Sequence, residues 1–197
     1  PRVRRQRQMC IRDRDEVGTL ADSFQQTVNH LQKYINYINS LAYRDALTGV
    51  KNKTAYQEAE RRLEEQMRNG RPEFAVIVLD INNLKKINDH YGHDFGDMFI
   101  VDACRLICKS FPHSPVYRIG GDEFCCIIPK GRYFKIERVM HKIDQDVEIL
   151  NHKNIIPVPV GIAYGYAVFT ADDTDPEKVR ERADKDMYRN KKTMKQL

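Results

Sequence analysis

Residues 116–128 read VYRIGGDEFCCII and decide the fold. Residues 116–119 and 124–128 are mostly β-branched, aromatic or otherwise apolar, which is typical of short strands. The four residues between them are a pair of glycines followed by two acids, a composition that favours a tight turn. The stretch therefore predicts an antiparallel hairpin with two carboxylates in its turn.

A second apolar run, FAVIVL, covers residues 74–79 and ends at Asp80. A run without alternation is typical of a strand buried on both faces, and residues 160–169 predict a further strand. Helical patterns cover residues 54–67, 83–89, 94–110, 133–150 and 176–192. This order predicts an α+β fold, in which helices flank a mixed, mostly antiparallel central sheet.

The beginning of the chain is strongly basic. Residues 1–14 contain six arginines and one acid, and they account for the whole net charge of +5. We interpret them as a solvated or non-native basic tail, in preference to a membrane-proximal segment. Because the other residues are neutral overall, they lack the basic bias that drives nucleic-acid binding.

Residues 15–43 predict one long helix. Apolar or aromatic side chains recur there at spacings of three and four from Val17 to Leu41, which is the pattern of a coiled-coil seam. A helix packed on its own domain would also carry an apolar stripe. We favour self-association, because the segment precedes the domain at residues 44–197. Its start, from Asp15 to Phe24, resembles a helix of a HAMP linker.

Five cysteines are present, and their odd number and irregular spacing argue against a disulfide framework. Cys104 and Cys108 lie four residues apart, but no CxxC pair accompanies them, so we expect reduced thiols rather than a zinc site. No stretch is long and apolar enough to span a bilayer. We therefore expect a cytoplasmic domain, including the case of a cytoplasmic part of an inner-membrane receptor.

Three carboxylates are expected at strand ends. Asp80 follows the buried run, and Asp122 and Glu123 lie in the hairpin turn. Oxygen ligands of this kind suit Mg²⁺, which binds carboxylates together with substrate phosphates. The pattern favours metal-assisted phosphoryl or nucleotidyl transfer. Acids in a turn are also common as solvated turn formers, and the residues alone leave that alternative open.

Five motifs between residues 45 and 191 resemble, in the correct order, those of the GGDEF family of diguanylate cyclases. The signature is GGDEF at residues 120–124, preceded by Arg118. The first of the other four is DALTG at residues 45–49, followed by Asn52. The next two are DINNLKKIND at residues 80–89 and YGHDFGD at residues 91–97. The last combines AD at residues 183–184, MY at residues 187–188 and Lys191. The resemblance implies a sheet like that of nucleotidyl cyclases and polymerase palms, with the GGDEF hairpin at the active site.

The resemblance also implies the residues of the site. Mg²⁺, or Mn²⁺ in its place, would be bound by Asp80, the Ile81 carbonyl, Asp122 and Glu123. Catalytic roles fall to Asp122, Glu123 and Lys85. Phosphates would meet Asn82, Asn83, Leu84, Lys85, Lys191 and Lys195, with close backbone approach at Gly120 and Gly121. Asn88 and Asp97 would read guanine, and so favour GTP over ATP.

The implied reaction joins two GTP molecules, bound on two facing domains, into cyclic di-GMP and two pyrophosphates. It requires a homodimer, and a coiled coil would raise the local concentration of the second domain. An upstream sensor is expected in the full-length protein. The alternative is a non-catalytic GGDEF module that binds GTP and regulates a partner. Asn82 and Leu84 differ from the residues common in the family, Asp and Phe, but neither is expected to act through its side chain.

Overall fold

The computed structural model describes residues 2–70, 72–129, 131, 135–152 and 158–194, with side chains from residue 17 onward. The chain divides into two compact units, residues 1–42 and 43–197. Within the described ranges, no helix combines the length and the apolar character that crossing a bilayer requires.

The first unit is a single helix, α1 (Arg2–Tyr43). It begins at Arg2 rather than at residue 15, so the segment interpreted as a tail continues the helix, as the high helix propensity of arginine allows. The predicted seam is exposed, because Leu20, Phe24 and Leu41 each keep more than half of their surface accessible. A row of exposed apolar side chains is typical of an interaction surface, and self-association stays a prediction.

The second unit is built on a four-stranded sheet. Its strands are β1 (Phe74–Ile81), β2 (Val116–Arg118), β3 (Glu123–Pro129) and β4 (Ile162–Val168), in the order β2-β3-β1-β4. Each neighbouring pair is antiparallel, so the predicted α+β fold is confirmed. Every residue of the central strand β1 is buried, which explains why its sequence does not alternate.

Among the residues that the structure describes, five helices cover the two faces of this sheet. They are α2 (Lys53–Asn69), α3 (Leu84–Tyr91), α4 (His93–Ser110), α5 (Ile136–His152) and α6 (Pro176–Met194). Alternate residues of β1 point to opposite faces. Ile77 and Leu79 pack with side chains of α4 and α5, whereas Val76 and Val78 pack with side chains of α2 and α6. The result is three layers: helices, sheet, helices.

A glycine allows α6 to lie directly against β4. A Cβ atom added at Gly165 would lie 2.0 Å from the backbone nitrogen of Met187 and 2.4 Å from the carbonyl oxygen of Ala183. Both atoms belong to the backbone of α6, so the helix could not keep its place beside a larger residue. Gly165 therefore sets the distance between β4 and the helix that brings Lys191 to the sheet.

Side chains of α6 also cover the outer edge of β4. The backbone N–H groups of Tyr164 and Tyr166 donate to Asn190 Oδ1 and Asp186 Oδ2, each at 3.2 Å. At the opposite edge, the backbone of Lys51 exchanges hydrogen bonds with β2. Backbone groups at both edges of the sheet are thus engaged within the domain.

Candidate active site

The hairpin places Asp80 and Glu123 opposite each other, as partners in the register of β1 and β3. The sequence predicts Asp80 at the end of its strand. In the structure the strand continues by one residue, because the backbone N–H of Ile81 donates to the Asp122 carbonyl at 2.9 Å. Asp80 is consequently buried. Like charges directly opposite each other destabilise a sheet, so this corner favours a cation.

The first glycine of the signature makes room for Glu123. A Cβ atom at Gly120 would lie 2.8 Å from Glu123 Oε2 and 3.2 Å from Glu123 Cβ, whereas one at Gly121 would meet nothing within 4 Å. The backbone N–H groups of Ile119 and Gly120 both donate to the Glu123 carbonyl, at 3.0 and 3.3 Å. The side chain of Glu123 therefore folds back over the turn, which requires glycine at position 120.

Arg118 connects this turn to the beginning of the domain. Its Nε and Nη2 atoms donate to the Gly121 carbonyl at 3.2 and 2.7 Å, and Nη1 donates to Asp45 Oδ1 at 3.0 Å. Thr48 donates to the same oxygen through its backbone N–H and its hydroxyl. Burial acts to raise the pKa of Asp45, but these hydrogen bonds outweigh it and lower the pKa. An ionised carboxylate thus holds the guanidinium that anchors the turn.

Lys191 supplies a cation at Asp80. Its Nζ lies 2.5 Å from Asp80 Oδ1, and the two side chains are 25% and 8% exposed. The resemblance assigns Lys191 to phosphate oxygens, whereas in this structure it is paired with a predicted metal ligand. The pairing follows from the close packing of α6 on β4, which brings the last turns of the helix to the end of β1.

Negative charge accumulates around Glu123. Burial raises the pKa of this carboxyl group, and the charges of Asp122, Asp80 and Asp184 raise it further, while Lys191 lowers it. Sequence reasoning gave Asp184 no role beyond its motif. It precedes Lys191 by two turns of α6, which places both side chains on the same helical face. These four carboxylates and the ammonium group of Lys191 share one corner of the domain.

The ligand set at this corner fits a hard divalent cation. Carboxylate oxygens of Asp80, Asp122 and Glu123 and the carbonyl oxygen of Ile81 are the atoms that Mg²⁺ prefers. In the part of the chain that the structure describes, no three His, Cys, Asp or Glu side chains already form a metal cage. Mg²⁺ usually binds one or two protein carboxylates and completes its shell with water and substrate phosphates.

A cleft of about 1050 Å³ opens beside the carboxylates, between the end of β1, the start of α3 and the end of α6. Its walls include these predicted residues: Ile81, Asn82, Asn83, Leu84, Lys85, Asp122 and Lys191. Asn83 adopts a left-handed conformation, with φ of 68°, and gives α3 no side-chain cap. The first N–H groups of α3 are therefore suited to an anion such as phosphate. Lys195 lies outside the described residues.

The two predicted guanine readers lie on α3 and α4. A Cβ atom at Gly96 would come within 1.8 Å of Asn88 Oδ1, so this glycine allows Asn88 to reach the start of α4 beside Asp97. Asn88 Oδ1 is buried and has no hydrogen-bond partner among the residues that the structure describes, whereas Asp97 is exposed. A buried amide oxygen without a partner is unusual and is consistent with a ligand contact. Neither side chain is among those that line the phosphate end of the cleft.

Asn82 lines the cleft, at a point where three parts of the domain meet. Its Nδ2 donates to Met194 Sδ at 3.6 Å, while its Oδ1 is buried and meets no hydrogen-bond partner in the described ranges. Its backbone N–H donates to the Gly161 carbonyl at 2.8 Å. The amide therefore lies where β1, α6 and the segment before β4 meet, a meeting point that sequence spacing does not show.

Residues 42–196 match the family model described as the diguanylate cyclase, GGDEF domain. The chain belongs to the GGDEF family. The probable diguanylate cyclase DgcT of Escherichia coli is 29% identical over 168 residues, which are 83% of this chain and 37% of DgcT. The E. coli cyclic di-GMP phosphodiesterase PdeR is 30% identical over 149 residues, which are 75% of this chain and 22% of PdeR. This chain thus spans well under half the length of either relative.

The GGDEF domain also resembles solved structures. One is the coiled coil and GGDEF domain of DgcB from Caulobacter crescentus, solved in complex with c-di-GMP, with a TM-score of 0.75. The match covers 89% of this chain and 94% of that chain at 24% identity, a level that shows the fold alone. It confirms the expected fold of the GGDEF domain, with a sheet of the nucleotidyl cyclase type, and agrees with the helix that precedes it.

Proposed function

We propose that this GGDEF domain is a diguanylate cyclase, which condenses two GTP molecules into cyclic di-GMP and two pyrophosphates. The observation that carries the proposal is the cross-strand pair of Asp80 and Glu123, with Asp122 on the adjoining cleft wall. Opposed carboxylates cost stability. A metal-dependent nucleotidyl transfer gives that arrangement a use, because functional sites commonly break rules of local stability.

In this proposal, Asp80, Asp122 and the carbonyl of Ile81 would hold Mg²⁺, or Mn²⁺ in its place, with Glu123 in support. The bound cation supplies charge neutralisation for the triphosphate and for the departing pyrophosphate. The N–H groups at the start of α3 bind phosphate oxygens. Lys85, which lines the same cleft, adds a positive charge there.

The reaction needs positioning more than covalent participation by the protein. The 3′ oxygen of one GTP attacks the α-phosphorus of the other, and the hydroxyl proton passes to Glu123 or to water. The bond from the α-phosphorus to the bridging oxygen breaks, and its electrons leave with pyrophosphate. A second transfer in the opposite direction closes the ring.

Selection of GTP would rest on Asn88 and Asp97. The carboxylate of Asp97 accepts hydrogen bonds from the N1–H and the exocyclic amine of guanine, two donors that adenine does not present together. The buried Oδ1 of Asn88, which has no partner within the described part of the chain, would gain one from the base. Polar groups left unpaired by the wrong base make such a site selective.

Catalysis would require a homodimer, because one domain binds one GTP. The exposed apolar seam of α1 offers a surface for a coiled coil, which would raise the local concentration of the second domain. The DgcB structure likewise combines a coiled coil with a GGDEF domain. A sensor segment preceding α1 would then set the activity, and GTP as substrate implies a cytoplasmic domain.

The alternative is a GGDEF module that binds GTP without catalysis and regulates a partner. It gains weight from PdeR, a relative that is named for phosphodiesterase activity. Both candidates predict nucleotide binding, and they differ in whether product forms.

The deciding experiment is incubation of the purified chain with GTP and Mg²⁺, followed by mass analysis of the products. The double variant Asp122→Ala/Glu123→Ala removes two proposed metal ligands. Its matched control, Glu148→Ala/Asp172→Ala, removes two exposed acids that do not line the cleft. We expect cyclic di-GMP from the wild type and the control only. Bound GTP without product, even when an appended zipper forces dimers, would favour the regulatory module.

A further inference from the structure

The ion pair between Lys191 and Asp80 joins a group proposed to bind phosphate to one proposed to bind metal. The residues are 111 positions apart, and their N–O distance is 2.5 Å. The Asp80 side chain is 8% exposed, and a carboxylate buried to that degree is costly unless it is paired. Lys191 therefore has a role in the domain before any nucleotide arrives.

The negative charges around Asp80 increase the stabilisation that a cation gives at this position. Glu123 lies opposite Asp80 across the sheet, and Asp122 and Asp184 are close enough to act on Glu123 electrostatically. Without Lys191, these carboxylates would repel each other in a partly buried corner. A divalent cation at Asp80 would meet the same need, so the lysine and the metal would compete for one oxygen ligand.

The ammonium group of Lys191 can also reach the part of the cleft where phosphates would bind. It lines the cleft together with Lys85 and with the first residues of α3, where phosphates would bind. Its ammonium group ends a flexible four-carbon chain, and its side chain is 25% exposed, in contrast to Asp80. The lysine can therefore change partners without movement of α6, whose position is fixed by backbone packing at Gly165.

We propose that Lys191 is a place-holder for the metal: it occupies Asp80 in the nucleotide-free domain and passes to phosphate when metal and nucleotide bind together. The inference rests on the proposed function, since it takes Asp80 as a metal ligand. Metal alone must displace the ammonium group of Lys191 from Asp80 and so binds weakly. Metal with nucleotide gives that group a new partner. Binding of the two ligands is thereby positively coupled, and by linkage each raises the affinity for the other equally.

The place-holder predicts opposite effects of one substitution. Lys191→Met removes the ammonium group that competes with the metal at Asp80, so it raises the affinity of the nucleotide-free domain for Mn²⁺ by about tenfold or more, within the usual range of coupling between sites. The same substitution removes a phosphate ligand, so it lowers the affinity of the Mn²⁺-loaded domain for a non-hydrolysable GTP analogue. A lysine that served only phosphate binding would show the second effect without the first.

The test is titration of the nucleotide-free chain with Mn²⁺, with free Mn²⁺ read by electron paramagnetic resonance. Lys85→Met is the matched control, because it removes one positive charge from the same cleft without removing a partner of Asp80. We expect a large gain in Mn²⁺ affinity for Lys191→Met and a gain of no more than about threefold for Lys85→Met. Equal gains for the two variants, or no gain for Lys191→Met, would overturn the proposal.

Two further variants tie the effect to the ion pair. In an Asp80→Asn background, Lys191→Met should give no gain, and a persistent gain would contradict the proposal. Lys191→Arg retains a cation at Asp80 and should bind Mn²⁺ as weakly as the wild type, which also tests the idea if Lys191→Met does not fold. Product analysis is independent of these titrations. If the wild type makes no cyclic di-GMP but Lys191→Met still raises the affinity for Mn²⁺, the proposed function is refuted and the place-holder role of Lys191 stands.

Discussion

Replacement of Gly165 by alanine should move α6 and lower stability and activity together. The added Cβ would lie 2.0 Å from Met187 N and 2.4 Å from Ala183 O, whereas non-bonded heavy atoms rest at about 3.5 Å. The helix must therefore withdraw by more than about 1 Å. Overpacking of this kind costs about 1–3 kcal/mol, and a shift of about 1 Å in a positioned group can cost about 100-fold in rate.

The assay combines thermal unfolding, followed by circular dichroism, with GTP turnover measured at a temperature well below the unfolding transition. One kcal/mol shifts Tm by about 2–4 °C in a domain of this size, so a fall of about 2–12 °C is expected. Gly121→Ala is the control for Tm, because its Cβ would meet nothing within 4 Å. An unchanged Tm for Gly165→Ala would refute the close packing of β4 on α6. A lowered Tm with full turnover would refute the link from α6 to the site.

Three further predictions concern the hairpin, and a fourth concerns recognition of the guanine base. Arg118→Lys keeps the charge but loses the forked contact with Gly121 O, so kcat should fall by about 10–100-fold with little change in KM for GTP; a change confined to KM would contradict this. The Cβ added by Gly120→Ala lies closest to the flexible end of Glu123, at 2.8 Å from Oε2, and also 3.2 Å from Glu123 Cβ, so turnover should fall about tenfold or more while Tm shifts by less than about 3 °C; a large fall in Tm would show that the turn itself had rearranged. Because burial and nearby carboxylates raise the pKa of Glu123 above its ordinary 4.5, the native state binds that proton more tightly and loses stability as the pH rises through the raised pKa. Glu123→Gln should therefore gain up to about 1 kcal/mol of stability at pH 7, measured by urea unfolding, and the gain should shrink below pH 4.5, whereas an equal gain at both pH values would argue against the charge effect. Asp97→Asn should lower kcat/KM for GTP by about 100-fold or more while leaving that for ATP nearly unchanged; equal losses for the two nucleotides would assign Asp97 a structural role.

Local patterns were sufficient to predict the strands and helices of the domain. The apolar run before Asp80 marks the central strand because both of its faces are buried. The glycines and acids of residues 120–123 mark the turn because few other residues suit it. Both signals lie within a few neighbouring residues, so they can be read without knowledge of the fold.

Contacts between distant elements could not be predicted in the same way. The packing of α6 on Gly165, the bond from Arg118 to Asp45 and the pairing of Lys191 with Asp80 each join residues far apart in sequence. The amino-acid sequence around each of these residues does not specify which distant residue it contacts. The start of α1 was misjudged for a different reason: a dense run of arginines resembles a solvated tail, although arginine is a good helix former.

The edge of β4 has a consequence for assembly. Asn190 and Asp186 occupy the N–H groups of Tyr164 and Tyr166, so these two groups are not available to a strand of another molecule. The proposed coiled-coil dimer would keep two domains at a high local concentration, a condition that promotes strand exchange and fibre growth. With those two N–H groups occupied, two domains can meet often while remaining separately folded, and their encounters are left to side chains and bound nucleotides.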